Sequence, residues 1–395
     1  MKRFVYADNA ATTAVSREVI DAMMPIFEQS WGNPSSQHSM GIEAKDILDD
    51  ARERIANVLG CTAGEIYFTS GGTESDNWGI RGAAMRMKKK GRTHIITSKI
   101  EHHAVLHTCE ALEKEGFTVD YLDVDEYGVV DLDQLRSLVS EKTAVVAIMY
   151  ANNEIGTIEP IDEIVEIAHA KGALVFTDAV QAVGNIDVDL SRTKVDMLAL
   201  SGHKLHAPKG IGLLFIRKGV VISNLIEGGG QEKRKRGGTE NLPYIVGLAK
   251  ALELAKENLV YMDEVRAKRD RLIEELTKIP YSSLNGHPTN RLPGLVNVGF
   301  EFIEGESMLM WLDMAGICAS TGSACSSASL DASHVLLAIG VPHEKAHGSL
   351  RLSITKDTTN EDIDYIIENV APIVERLRNM SPLWEDIVKA ETANK

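Results

Sequence analysis

Between about residue 60 and residue 220 the chain repeats one alternation, a short apolar run followed by a segment of helical periodicity. The apolar runs are Glu65–Thr69, His94–Thr97, Ala144–Met149, Ala173–Thr177 and Val195–Leu200, and the helix-like segments include 73–90, 102–115 and 160–171. Antiparallel neighbours can be joined by a two-residue turn, whereas parallel neighbours need a long crossover, usually a helix. The alternation therefore predicts an α/β fold built on a largely parallel sheet with helical cover. Ligands of such sheets bind beyond the carboxyl ends of the strands, so functional residues are expected just after each apolar run.

The pattern then changes. A long, polar helical stretch near 245–279 leads to an apolar run at 292–300, a helix-like 305–315, the strand-like Leu350–Ile354 and a helix over about 360–378. This reads as a smaller α+β unit, and at 395 residues the chain exceeds what one core usually supports. The expected division is a large domain over 13–258 and a small one formed by 1–12 with 259–395. No apolar run approaches ~18 residues, so no membrane span is expected. The start, Met1-Lys-Arg-Phe-Val, lacks the apolar core of a signal peptide, so a cytoplasmic protein is expected. A formal net charge of -15 opposes nonspecific attraction to nucleic acid, and no nucleic-acid partner is expected. The basic run Lys233–Arg236 stays open between a phosphate or nucleic-acid patch, a solvated face and a subunit-contact loop.

The four cysteines show no paired-ligand spacing and are too few for a disulfide framework, so neither a metal site nor a structural disulfide is expected. Cys61 and Cys318 adjoin apolar residues and read as packed thiols. Cys325 differs, because no apolar residue larger than alanine lies between Ser320 and Ala328. Neither period can turn it into a core. A small-residue loop instead leaves a thiolate exposed and able to reach.

Three strand ends carry chemistry. Gly71-Gly-Thr-Glu-Ser75 follows the first apolar run and opens a helix, whose free N–H groups and dipole make an anion site, with the Thr73 hydroxyl beside it. Lys204, in Ser201-Gly-His-Lys204, is either an ordinary surface lysine or a desolvated amine able to form a Schiff base. Asp178, at the end of the neighbouring run, supplies the opposite charge. A phosphate cup, an amine and a carboxylate together are what pyridoxal phosphate requires.

These residues occur within a longer series. Glu101-His-His103, Asn152-Asn-Glu-Ile-Gly156, Thr177-Asp-Ala-Val-Gln181, Ser201-Gly-His-Lys204 and Gly322-Ser-Ala-Cys325 follow Gly71–Ser75 in the order found in cysteine desulfurases of the class V aminotransferase family. The chain resembles that family from Tyr6–Thr13 to Ser381–Trp384, and most closely the branch supplying sulfur for nitrogenase or iron–sulfur cluster assembly. The resemblance implies the pyridoxal phosphate-dependent transferase fold of type I, a mainly parallel seven-stranded sheet domain with a smaller α+β domain.

It also implies roles. Lys204 would hold pyridoxal 5'-phosphate as a Schiff base and Asp178 would pair with its pyridinium nitrogen. Gly72, Thr73, Ser201 and His203 would grip the phosphate, joined by Thr239 of the partner subunit in a homodimer with composite sites. Gln181 would bond the ring hydroxyl oxygen, and His102 would stack on the ring and assist proton transfer. Arg351 would clamp the carboxylate of the L-cysteine substrate, with Asn33 and Asn153 nearby, Asn153 also touching the cofactor. Cys325 would accept the sulfur as a persulfide and pass it to an iron–sulfur scaffold protein, leaving L-alanine. Simpler readings stand beside these: His102 as a helix cap and Arg351 as a surface charge. Rival functions are selenocysteine lyase, aminotransferase, or a non-catalytic scaffold. The sequence runs only to Lys395, without the longer tail by which some members dock a scaffold, so the acceptor stays open.

Overall fold

The structure is a computed structural model and describes residues 3–322, 332–382 and 384. Cys325 lies outside the described residues. After the short strand β1 (Val5–Tyr6) come seven strands of one sheet: β2 (Ile66–Thr69), β3 (His94–Ser98), β4 (Thr118–Leu122), β5 (Thr143–Ala147), β6 (Leu174–Asp178), β7 (Met197–Ser201) and β8 (Gly212–Ile216). Their spatial order is β2-β8-β7-β6-β5-β3-β4. All neighbours pair in parallel except β8, which is antiparallel to both β2 and β7. Strands β5, β7 and β8 are buried at every position, as their unbroken apolar sequences require when helices cover both faces. One face packs on Trp78, Ile80 and Val105, the other on Ile55, Leu248 and Leu252. From β3 the chain goes outward to β4 and returns to β5 on the other side, so the switch point lies between β3 and β5.

A second sheet has the antiparallel order β12-β10-β9, from β9 (Ser282–Leu284), β10 (Leu295–Phe300) and β12 (Ser349–Ser353), while β1 pairs in parallel with β11 (Ile317–Cys318). Helices Met262–Leu276, Gly305–Ala315 and Asn360–Arg378 back it, and Val5 and Ala7 share their core. Two strands of the large sheet, β4 and β8, were not among the runs read from sequence. The helical stretch near 245–279 is two helices, Leu242–Asn258 and Met262–Leu276, separated by a 3-10 turn at Leu259–Tyr261. The break lets Leu248 and Leu252 join the large core while Val265 and Leu272 join the small one.

Candidate active site

The loop after β2 sits main chain to main chain against β8 at Gly71 and Gly212. A Cβ on Gly212 would come within 2.7 Å of the Gly71 Cα, so a glycine is required for this approach. Ser75 locks the turn, its Oγ lying 3.1 Å from Gly71 O and 2.9 Å from Leu213 O, either of which can accept its one proton. The helix Gly72–Lys88 opens here, and Gly72 and Thr73 line a cavity of about 370 Å³. A Cβ on Gly72 would meet Val180 Cγ2 at 2.9 Å, so the helix start and the segment after β6 form a close-fitting cradle. Its free N–H groups and dipole favour an anion.

The cavity is completed by the ends of β3, β5, β6 and β7, with Arg351 entering from β12 of the second sheet. His102, Asn153, Asp178, Gln181, Ser201, His203 and Lys204 all reach it. Lys204 Nζ donates to Ala11 O at 2.7 Å and also to Ala10 O, so the N-terminal segment is held directly over the lysine. Burial pushes the Asp178 carboxyl up to about 6, against the lowering effects of the Val180 N–H, which it accepts at 2.9 Å, and of the Lys204 charge. A cationic ring N–H satisfies such a carboxylate.

His102 caps its helix, with Nδ1 accepting from Ala104 N at 3.1 Å, and it also faces the cavity; the cap and the site role coexist. Burial first, then the neighbouring His103 and Lys204 charges, lower its pKa to about 4, so at neutral pH the ring is uncharged and carries its proton on Nε2. His203 is likewise lowered to about 4, by burial and then Lys204, with Nδ1 3.1 Å from Thr12 Oγ1. Gln181 Nε2 donates to Ala10 O at 3.0 Å.

Arg351 is 2% exposed, so it is no surface charge. It donates to Asn153 O at 3.0 Å and Asp8 Oδ1 at 3.1 Å, while its Nε has no partner among the described residues. Asn33 is exposed, its Oδ1 accepting from Ser35 N at 2.9 Å, and it does not line the cavity. Thr239 is exposed and also outside this subunit's cavity. The basic run is partly turned inward: Lys233 donates to Ala63 O at 2.9 Å, and Arg236 grips Glu74 at 2.8 and 3.1 Å, beside the anion cradle. The thiols of Cys61 and Cys109 are both pushed up to about 12, chiefly by burial.

Three acidic residues were missed from sequence. Asp8 neutralises Arg351, Glu101 is buried and accepts from Met149 N at 3.0 Å, and Asp76 lies on the cavity wall one turn into the helix that opens at Gly72. Asp76 did leave a signal, being a charged residue on a helical stripe otherwise made of Gly72, Gly79, Ile80, Ala83 and Met87.

An anion cradle with hydroxyl and imidazole donors, a buried carboxyl and a strand-end amine fit a phosphorylated, cationic, aldehyde-bearing ring. The aminotransferase class-V family model matches residues 5–366. The chain is 56% identical over 380 residues to cysteine desulfurase IscS of Methanosarcina thermophila, covering 96% of this chain and 94% of that protein. Among solved structures it is similar to a NifS-like protein, with TM-score 0.89, 41% identity and coverage of 95% of this chain and 100% of the other. It is also similar to a structure described as SspA in complex with cysteine, with TM-score 0.79, 36% identity and coverage of 90% and 99%. With the motifs, the cavity and these similarities in agreement, the chain belongs to the class-V aminotransferase family, in its cysteine desulfurase branch.

Proposed function

We propose that the protein converts L-cysteine to L-alanine and carries the released sulfur as a persulfide on Cys325, for delivery to iron–sulfur cluster assembly. The observation that carries this reading is the meeting of Lys204, Asp178 and Arg351 in one cavity, the first two from adjacent strand ends and the third from the other sheet. Pyridoxal phosphate, held by Gly72, Thr73, Ser201 and His203 with Asp178 and Gln181 at its ring, would supply the electron sink for the carbon that loses sulfur.

The residues divide the remaining work. Arg351 binds the substrate carboxylate as a fork, which orients the amino acid against Lys204. The Lys204 amine takes the Cα proton and returns protons to carbon. Neutral His102 carries a proton at Nε2. The Cys325 thiolate attacks the substrate sulfur: an S–S bond forms, the C–S bond breaks, and its electron pair stays on carbon, which is then protonated to give alanine. A homodimer, with Thr239 of the partner subunit completing each phosphate site, accounts for the exposure of Thr239 on a strap tied to Glu74. We further assign 13–258 to a large domain and 1–12 with 259–395 to a small one, Arg351 reaching across between them.

Borohydride reduction followed by peptide mass spectrometry should place the cofactor on Lys204, and L-cysteine should yield alanine with a persulfide-bearing protein. A keto acid product would instead mark an aminotransferase. Turnover confined to selenocysteine would mark a lyase for that substrate.

A further inference from the structure

Asp76 is 1% exposed, lines the cavity, and its Oδ1 has no hydrogen-bond partner among the described residues. Its carboxyl lies within 4.8 Å of the reactive atoms of Asp178 and His102. The titratable groups that share the cavity with it are His102 beyond β3, Asp178 closing β6, His203 and Lys204 beyond β7, and Arg351 of β12, and the Glu101 carboxyl beyond β3 also acts on it. Glu74 on its own helix is turned away to Arg236. Among the described residues no ion pair forms to Asp76, and two buried carboxyls this close resist ionising together.

We propose that Asp76 is a positioning residue that stays a neutral acid, so that the pair it forms with Asp178 carries a single negative charge, kept on Asp178 where the cofactor ring nitrogen would bind. Burial and the nearby Asp178 and Glu101 carboxyls favour the protonated form of Asp76, in that order. Asp178 keeps the charge because only it has the Val180 N–H and the Lys204 amine to favour the anion. As a neutral acid, Asp76 adds no second charge beside Asp178, so the carboxylate facing the ring nitrogen keeps the basicity of a single anion.

The proposal rests on the cofactor reading above, so its first test needs no cofactor. In the cofactor-free protein, a folded state that keeps one proton on the pair loses stability as pH rises past the range where the unfolded carboxyls have ionised. The Asp76→Asn variant lacks that proton. Its folding equilibrium constant, relative to the wild type, should therefore grow about tenfold per pH unit between pH 6 and 8, measured by denaturant unfolding. Parallel pH dependences would overturn the proposal, whether or not the protein binds pyridoxal phosphate.

The second test follows the absorbance of the cofactor-loaded protein against pH. Asp76→Asn and Asp76→Leu, both neutral like the protonated acid, should keep the wild-type midpoint. Equal downward shifts in both variants would show that Asp76 is ionised in the wild type and would overturn the proposal. Should Asp76→Leu fail to fold, the Asn comparison in both tests still decides.

Discussion

Arg351 Nη2 is bound to Asp8 Oδ1 at 3.1 Å, an ion pair between β12 and the N-terminal segment that also lies over Lys204. The guanidinium that would meet the substrate thus has a resident carboxylate, while its Nε is buried and unpartnered among the described residues. A substrate carboxylate competes with Asp8 for a group already out of water.

Replacing Arg351 by lysine removes the fork that a carboxylate matches. Arg351→Lys should weaken L-cysteine binding by about 1.5 to 3 kcal/mol, the range for hydrogen bonds to charged groups. Asp8→Asn should shift affinity the opposite way, because the competitor is gone. Titration with cysteine while following the cofactor spectrum reads both, and unchanged affinity in both variants would move the clamp elsewhere.

The described thiols are poorly suited to neutral-pH sulfur chemistry. Cys61 and Cys109 are pushed up to about 12, and Cys318 is raised by burial and by the Asp313 and Asp8 charges. Cys325→Ala should therefore abolish alanine release while retaining the spectral response to cysteine. Cys61→Ala and Cys318→Ala should retain wild-type turnover within about twofold, since neither thiolate is needed for the step. Wild-type release rates in Cys325→Ala would refute the sulfur relay.

Acid should destabilise the fold through His102. Its unfolded ring binds a proton near 6.5 but the folded one only near 4, so the unfolded state takes up the proton first and stability falls as pH drops through that window. Relative to His102→Gln, the wild type should lose up to roughly 3 kcal/mol between neutral pH and pH 4. Denaturant unfolding of the two proteins at pH 7, 5.5 and 4 gives the difference directly; parallel curves would mean the ring titrates normally.

Glu232, Lys233 and Arg234 hold three successive non-glycine residues at φ of 44°, 58° and 65°. Their left-handed backbone is sustained by a buried pair, Arg52 Nη2 to Glu232 Oε1 at 2.7 Å, with Glu232 Oε2 also accepting from Phe68 N at 2.9 Å. Glu232→Ala leaves a buried guanidinium unpaired and should cost about 3 to 5 kcal/mol of unfolding free energy. A loss below 1 kcal/mol would show that water reaches Arg52 readily.

Much of this was legible in the chain, for reasons that differ by residue. The alternation exposed the ends of β6 and β7, hence Asp178 and Lys204, because a parallel sheet converts sequence order into a row of neighbours. Strand β8 escaped because Gly212–Ile216 lies in a run with no crossover helix before it, an antiparallel step that periodicity does not distinguish from a turn. The Arg351–Asp8 pair spans 343 positions, and no local pattern reports a contact that depends on two sheets meeting. Asp76 was hidden by its surroundings in sequence, a glutamate and a serine before it and an asparagine after, which read as a polar helix start.

The main-chain contact between Gly212 and Gly71 makes a strand without functional side chains part of the machinery for holding a vitamin-derived group. A methyl at position 212 would displace the anion cradle without touching a ligand. A Gly212→Ala allele would then behave as a nutritional variant, defective when pyridoxal phosphate is scarce and compensated by mass action when it is abundant.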